Sequence, residues 1–253
     1  MMDRRSFLVA AISSLALVAA HNAVPVGAQQ QPQGVQARSS SKVPPPLTTY
    51  KGRRIAQTMH YTGAEWLIRD EREREERAST MLENLGVRPG MVVCDMGCGN
   101  GFHTLKLAEM VGPDGMVIAV DIQPEMLAML RERAEQLGVE NIMPILGSLH
   151  NPRLPPRSID LILLVDVYHE FSHPEHMLKS MRASLTERGR IVLVEFRAED
   201  PKVPIKPLHK MSKDQIMKEL TPNGFKLAEE YDELPWQHMM FFERDDDVEK
   251  DQP

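Results

Sequence analysis

From Pro89 onward the chain alternates short apolar runs with stretches of helical spacing. Met91 to Asp95, Ile118 to Asp121, Met143 to Leu146, Leu161 to Val165 and Ile191 to Phe196 have strand length and little polar alternation. Such runs predict strands buried on both faces, as in a parallel sheet. Between them, Phe102 to Val111, Pro124 to Leu137 and Pro174 to Leu185 place apolar residues at helical intervals, and Pro124 and Pro174 suit a first helical turn. Phe225 to Glu230 and His238 to Glu243 add two later strands, after a helix opened by the Ser212-x-x-Gln215 capping box and stopped by Pro222-Asn223-Gly224. The alternation predicts an α/β fold with a doubly wound sheet and helices on both faces, whose ligands sit beyond the carboxyl ends of the strands.

Ahead of Pro89 the pattern changes three times. Met1 to Arg5 is short and basic, Phe7 to Ala20 is apolar, and Val26-Gly27-Ala28 has the small residues of a cleavage site, so residues 1–28 read as a signal peptide. Arg4-Arg5-Ser6-Phe7-Leu8 resembles a twin-arginine export signal, which predicts a periplasmic protein, or one anchored in a membrane through residues 7–20 if the segment is uncleaved. Residues 29–50, rich in Gln, Pro and Ser, read as a disordered linker. Residues 51–88 form a helical extension: Ala64 to Leu85 is expected as a helix, with the charges of Arg69 to Arg77 as a solvated, ion-paired face and Gly86 as its stop. Residues 89–244 are assigned to the α/β domain itself, and residues 245–253 read as an acidic tail in solvent.

Composition narrows the partners. A net charge of -6 with scattered Lys and Arg offers no footprint for a nucleic-acid backbone. Membrane contact is expected only through the N-terminal apolar segment, and oligomeric state is not encoded in any pattern. The two cysteines, Cys94 and Cys98, flank a strand end and a tight loop, which suits neither a disulfide nor a four-ligand zinc site.

The chemistry begins after the first predicted strand. Asp95-Met96-Gly97-Cys98-Gly99-Asn100-Gly101 is a G-x-G-x-G loop preceded by an acidic residue, and Phe102 stands where a dinucleotide fingerprint would need its third glycine. About twenty residues on, Asp121 ends the second strand with a carboxylate suited to two ribose hydroxyls. Turn capping is the plainer alternative for Asp95 and Asp121.

Val92 to Gly101 followed by Ala119-Val120-Asp121 resembles the first two motifs of class I S-adenosylmethionine-dependent methyltransferases of small-molecule type. The resemblance covers roughly Pro89 to Glu199. It implies a Rossmann-like sheet of seven strands, mostly parallel with an antiparallel last strand, and S-adenosyl-L-methionine as cofactor. It also implies that Gly97, Gly99 and Gly101 hold the methionine end, Asp121 the ribose, and Ile122 the adenine face. Where the family has an acidic residue after the third strand, Gly147-Ser148-Leu149 stands here, so Ser148 and Leu149 take the adenine edge with a hydroxyl in place of a carboxylate.

Val165-Asp166-Val167-Tyr168-His169-Glu170-Phe171 follows the fourth strand, where the family's substrate end lies. His169 is the candidate base, Asp166 the candidate partner of the sulfonium or the cofactor's amino group, and Tyr168 a candidate pocket wall. A structural role for His169 is the plainer reading. His169, His173 and His176 invite a metal, but no carboxylate or Cys completes a ligand pattern there, so no metal is expected. Glu195 to Asp200 reads first as an ion-paired loop, with Glu195 and Arg197 as lesser pocket-wall candidates. Thr58 to Tyr61 and Leu234 to His238 are possible covers of the site. The sequence thus predicts methyl transfer to a small molecule by in-line displacement; a non-catalytic S-adenosylmethionine-binding or nucleotide-binding protein and an NAD-dependent oxidoreductase are the alternatives.

Overall fold

The computed structural model describes residues 43–247. The signal segment 1–28, the linker as far as residue 42 and the tail from residue 248 lie outside the described residues. Seven strands form the centre: β1 (Val92–Met96), β2 (Met116–Asp121), β3 (Ile142–Leu146), β4 (Ile159–Val165), β5 (Leu185–Arg197), β6 (Phe225–Tyr231) and β7 (Gln237–Arg244). Their order is β3-β2-β1-β4-β5-β7-β6. The first five are mutually parallel, and β7 runs antiparallel to both its neighbours, as the resemblance implied. A two-residue strand, Lys210–Met211, lies parallel beside the end of β5 and brings the sheet to eight. At two residues it is too short to leave an apolar run in the sequence.

The helices are α1 (Arg72–Glu76), α2 (Ala78–Glu83), α3 (Phe102–Val111), α4 (Pro124–Leu137), α5 (Pro174–Ser184) and α6 (Lys213–Leu220). Pro124 opens α4 and Gly138 closes it in the left-handed conformation, so the predicted bounds of that helix hold. Strand residues alternate between two cores. Val93, Leu161, Leu163, Val192 and Val194 face α2 and α3, while Cys94, Met96, Ile162, Leu164 and Leu193 face α5 and α6. Both faces are covered, which is why the runs lack polar alternation. The strand order reverses between β1 and β4, and a crevice opens at their carboxyl ends.

Two expectations ahead of β1 need correcting. The helix expected over Ala64 to Leu85 is broken twice: an extended Arg69 (ψ 145°) ends a 3-10 helix, Tyr61–Ile68, and a left-handed Arg77 (φ 48°) separates the short α1 from α2. The second break lets Ala78, Met81 and Leu82 face the core while Arg72 and Glu76 turn inward one turn earlier, buried rather than solvated. The ion pairs themselves are present: Arg72 Nε donates to Glu76 Oε2 at 2.7 Å, and Arg69 Nη2 donates to Glu76 Oε1 at 2.6 Å. Residues 44–50, placed in the linker, are tied to the domain. Leu47 N donates to the Ser172 carbonyl, Pro44 O meets His173 Nε2 at 2.8 Å, and Thr49–Tyr50 pairs with Arg53–Arg54. Asp245 and Asp246, at the start of the expected solvated tail, are likewise bound, by Arg182. Among the described residues no helix is long and apolar enough to cross a membrane.

Candidate functional site

The glycine loop turns directly out of β1. Gly97 and Gly99 have positive φ (73° and 54°), and Gly101 (φ 84°) caps the start of α3. Gly97 N and Cys98 N donate to the Val120 carbonyl, and Gly99 N donates to Asp121 Oδ2 at 2.9 Å, so the end of β2 holds the loop. Asp121 Oδ1 accepts from Gln123 N, also at 2.9 Å. Burial pushes the Asp121 carboxyl above its ordinary value, opposed by the backbone N–H groups of Gln123, Gly99 and Ile122. A Cβ at Gly97 would sit 2.4 Å from Val167 Cγ2, in a backbone region that favours glycine. Gly97→Ala is therefore expected to lower stability by about 2–4 kcal/mol in urea denaturation. Adding Val167→Ala should recover part of that loss, and no recovery would refute the contact as its cause.

Asp95 lies behind the loop, not in it. Its carboxylate accepts from Thr104 Oγ at 2.6 Å and is buried. Burial raises its pKa to about 6 from 3.8, against the lowering effects of Thr104 and Arg72. The folded chain then keeps a proton that the unfolded chain loses, so stability from this group falls as pH rises through that window, by about 3 kcal/mol. Asp95→Asn, which keeps an acceptor for Thr104, should gain about that much on wild type between pH 4 and pH 7 in urea denaturation. A pH-independent difference would overturn the burial argument.

The second half of the site forms where β4 and β5 end side by side, with Val165 paired to Val194. Asp166 follows in a left-handed conformation (φ 54°), its N–H donating to the Val194 carbonyl, and turns the chain into a 3-10 turn, Tyr168–Glu170. Glu195, fully buried on β5, reaches that turn with both oxygens. Oε1 accepts from Tyr168 N at 3.0 Å, and Oε2 lies 2.6 Å from His169 Nδ1. A carboxylate only accepts, so Nδ1 carries the hydrogen and Nε2 is directed away toward His209 Nδ1, 3.1 Å off. Burial works against the His169 imidazolium, but Glu195 outweighs it and the pKa is raised. Glu170, half-buried, accepts from Met59 N at 3.2 Å; burial raises its carboxyl to about 7. Arg53 fixes the turn from outside: it donates to the His169 carbonyl at 2.7 Å and pairs with buried Glu219 through Nε (2.8 Å) and Nη2 (2.9 Å).

Both halves border one cavity of about 640 Å³. Of the residues singled out in the sequence, Gly97, Gly99, Asp121, Ile122, Ser148, Leu149, Asp166 and His169 line it. The Ser148 hydroxyl is engaged in its own turn, accepting from Asn151 N at 3.1 Å. Gly101 and Asp95 support the loop from outside the cavity. Tyr168 does not line the pocket: the 3-10 turn aims it into the core, against Phe171 and the Arg53 guanidinium, and it is fully buried. Sequence reasoning missed Arg72, Glu170 and His209, all on the cavity wall, and gave Glu195 the lesser role. Thr58 and Met59 do cover the site, fixed by Gln123, which accepts from Tyr61 N and donates to the Met59 carbonyl. Trp236 instead packs against Phe196.

A parallel sheet with a glycine loop after β1, a carboxylate after β2 and a cavity across both defines a nucleoside-cofactor domain. The chain belongs to the class I S-adenosylmethionine-dependent methyltransferases: the family model described as "Methyltransferase domain" matches residues 88–243. A ubiquinone/menaquinone biosynthesis C-methyltransferase of Ectopseudomonas mendocina is 34% identical over 116 residues, covering 46% of this chain and 45% of that protein. A protein-L-isoaspartate O-methyltransferase of Ignicoccus hospitalis is 28% identical over 145 residues, 57% of this chain and 65% of that protein. The chain thus spans less than two thirds of the length of these curated relatives. A crystal structure of a SAM-dependent methyltransferase from Aquifex aeolicus matches with a TM-score of 0.69 at 22% identity, over 73% of this chain and 98% of that one, and shows the shared fold.

Proposed function

We propose that this chain transfers a methyl group from S-adenosylmethionine to a small-molecule acceptor, with His169 taking the acceptor's proton. The observation that carries this reading is the single cavity running from the glycine loop to the His169–Glu195 pair. The residues fit the cofactor. Gly97 and Gly99 bring the loop backbone to the cavity wall, and Asp121 retains lone pairs for a ribose beyond the two it gives to backbone N–H groups. Asp166 borders the cavity with Oδ1 buried and without a hydrogen-bond partner, a ready acceptor for a cofactor ammonium.

When bound, S-adenosylmethionine supplies an electrophilic methyl group on a sulfonium. The chain's part is to align the acceptor in line with it, exclude water and remove a proton. Met59, Trp66 and Leu67 wall the cavity on the side of the N-terminal segment and serve the exclusion. His169 Nε2, its tautomer set by Glu195, serves the proton. The net charge of -6 and the scattered Lys and Arg of this sequence favour a small acceptor over a nucleic acid.

Equilibrium titration of the purified protein with S-adenosylmethionine and NADH, followed by tritiated-methyl transfer into small-molecule extracts, tests the proposal. Binding of NADH alone sinks it, and S-adenosylmethionine binding without transfer to any fraction favours a non-catalytic binder. Export by the twin-arginine-like segment is proposed alongside, supported by the charge and apolar pattern of residues 1–28. Sequencing the mature N-terminus after cell fractionation tests it, and a cytoplasmic protein that retains the segment would refute it.

A further inference from the structure

The acceptor end of the cavity holds a convergence that proton transfer does not use in full. His169, Glu170 and His209 each offer a ligand atom within 4.8 Å of the others, His169 Nε2 faces His209 Nδ1, and all three residues line the cavity. They arrive on separate elements: the 3-10 turn after β4 supplies His169 and Glu170, and a second 3-10 turn, Pro207–His209, supplies His209.

Three features of the cluster suit a cation. First, the two nitrogens are 3.1 Å apart; two imidazoles on one zinc-type ion, at ~2.0–2.1 Å each and near-tetrahedral angles, stand about 3.3 Å apart. Second, His169 donates its other ring N–H to the Glu195 carboxylate at 2.6 Å. That is the arrangement by which ligating histidines are held and made more basic. Third, Glu170 meets one backbone N–H, that of Met59, and forms no ion pair among the described residues. A hydrogen shared between the imidazoles accounts for the short contact between them, but not for a half-buried carboxylate set beside it.

We propose that His169, Glu170 and His209 hold a divalent transition-metal ion of the zinc type, leaving one position open to the cavity for an oxygen of the acceptor. A two-histidine, one-carboxylate set with an open position is a catalytic rather than a closed structural pattern. With the ion bound, the His169 Nε2 lone pair is committed to it, and the ion activates the acceptor by lowering the pKa of its hydroxyl; with the site empty, that lone pair takes the proton directly. The acceptor class is then a molecule with an ionisable O–H. The role of the open position rests on the methyl-transfer reading; ion binding itself does not.

Full-length protein stripped by chelator is titrated with Zn²⁺ against a competing indicator, and with Co²⁺ for its visible absorption. One Zn²⁺ per chain with micromolar or tighter affinity is expected, weakened at least about a hundredfold in His209→Ala and in Glu170→Gln. His209 sits on a half-exposed turn, so its replacement should leave the fold intact, checked by thermal unfolding of the stripped proteins. A Co²⁺ absorption band typical of low coordination number should disappear in His209→Ala. Absence of micromolar Zn²⁺ binding, or equal affinity in wild type and both variants, overturns the site; the latter would place the ion elsewhere, as at His173 and His176. A parallel S-adenosylmethionine titration separates the two readings. Zinc binding without cofactor binding sinks methyl transfer and retains the metal site, whereas cofactor binding without zinc does the reverse.

Discussion

Replacing Asp121 with Ala is expected to weaken S-adenosylmethionine binding by about three orders of magnitude while the chain stays folded. A carboxylate at the end of β2 makes charge-assisted hydrogen bonds to two ribose hydroxyls, each worth roughly 1.5–3 kcal/mol where water is excluded. The same side chain braces the glycine loop through Gly99 N and the start of α4 through Gln123 N, so its loss also loosens the loop that meets the rest of the cofactor. Folding should suffer little. Both N–H groups lie beside residues that border the cavity, where water replaces the carboxylate, and a buried acid of raised pKa is itself costly to ionise. Isothermal titration of wild type, Asp121→Asn and Asp121→Ala checks the order, with Asn intermediate because it keeps one acceptor. A fall of less than tenfold in the Ala variant would show that the ribose is held elsewhere.

The sheet and the cofactor half of the site were legible because each depends on short-range pattern. Strands covered on both faces leave unbroken apolar runs, and the loop between Asp95 and Phe102 needs its glycines within a few positions of one another. The acceptor half was not legible, since it is assembled by register between distant segments. Glu195 sits in an alternating-charge stretch that reads as a surface loop; only the pairing of Val194 with Val165 brings it under His169. His209 and Glu170 carry no sequence signal of their nearness, 39 positions apart in the chain. Arg72 and Glu76 lie in a mixed-charge run whose local pattern is the same for a solvated helix and for a buried ion pair. Tyr168 failed in the opposite direction: its place after β4 suggested the pocket, but the left-handed Asp166 and the 3-10 turn rotate it into the core.

That same register makes Glu195→Gln the most informative change at the acceptor end. The amide can still accept from Tyr168 N through its oxygen, so the turn keeps a backbone anchor. Its NH₂ group, however, faces His169 Nδ1 as a donor and forces the hydrogen onto Nε2, the nitrogen that the reaction needs bare. A base held in the wrong tautomer loses about two to three orders of magnitude in kcat, with KM for S-adenosylmethionine little changed because Glu195 does not border the cavity. The pH profile gives a second readout. Glu195 holds the His169 pKa above 6.5, so wild-type kcat should rise through an acidic limb above that value. In the variant burial and the Arg53 charge are opposed only by Glu170, and the limb moves to lower pH. Stability follows the same linkage: the contribution of the pair is full below pH 6.5 and is lost as pH rises through the raised pKa, so the variant's deficit is largest at acidic pH. Unchanged kcat with an unmoved limb would leave Glu195 a structural brace of the turn and remove His169 from the chemistry.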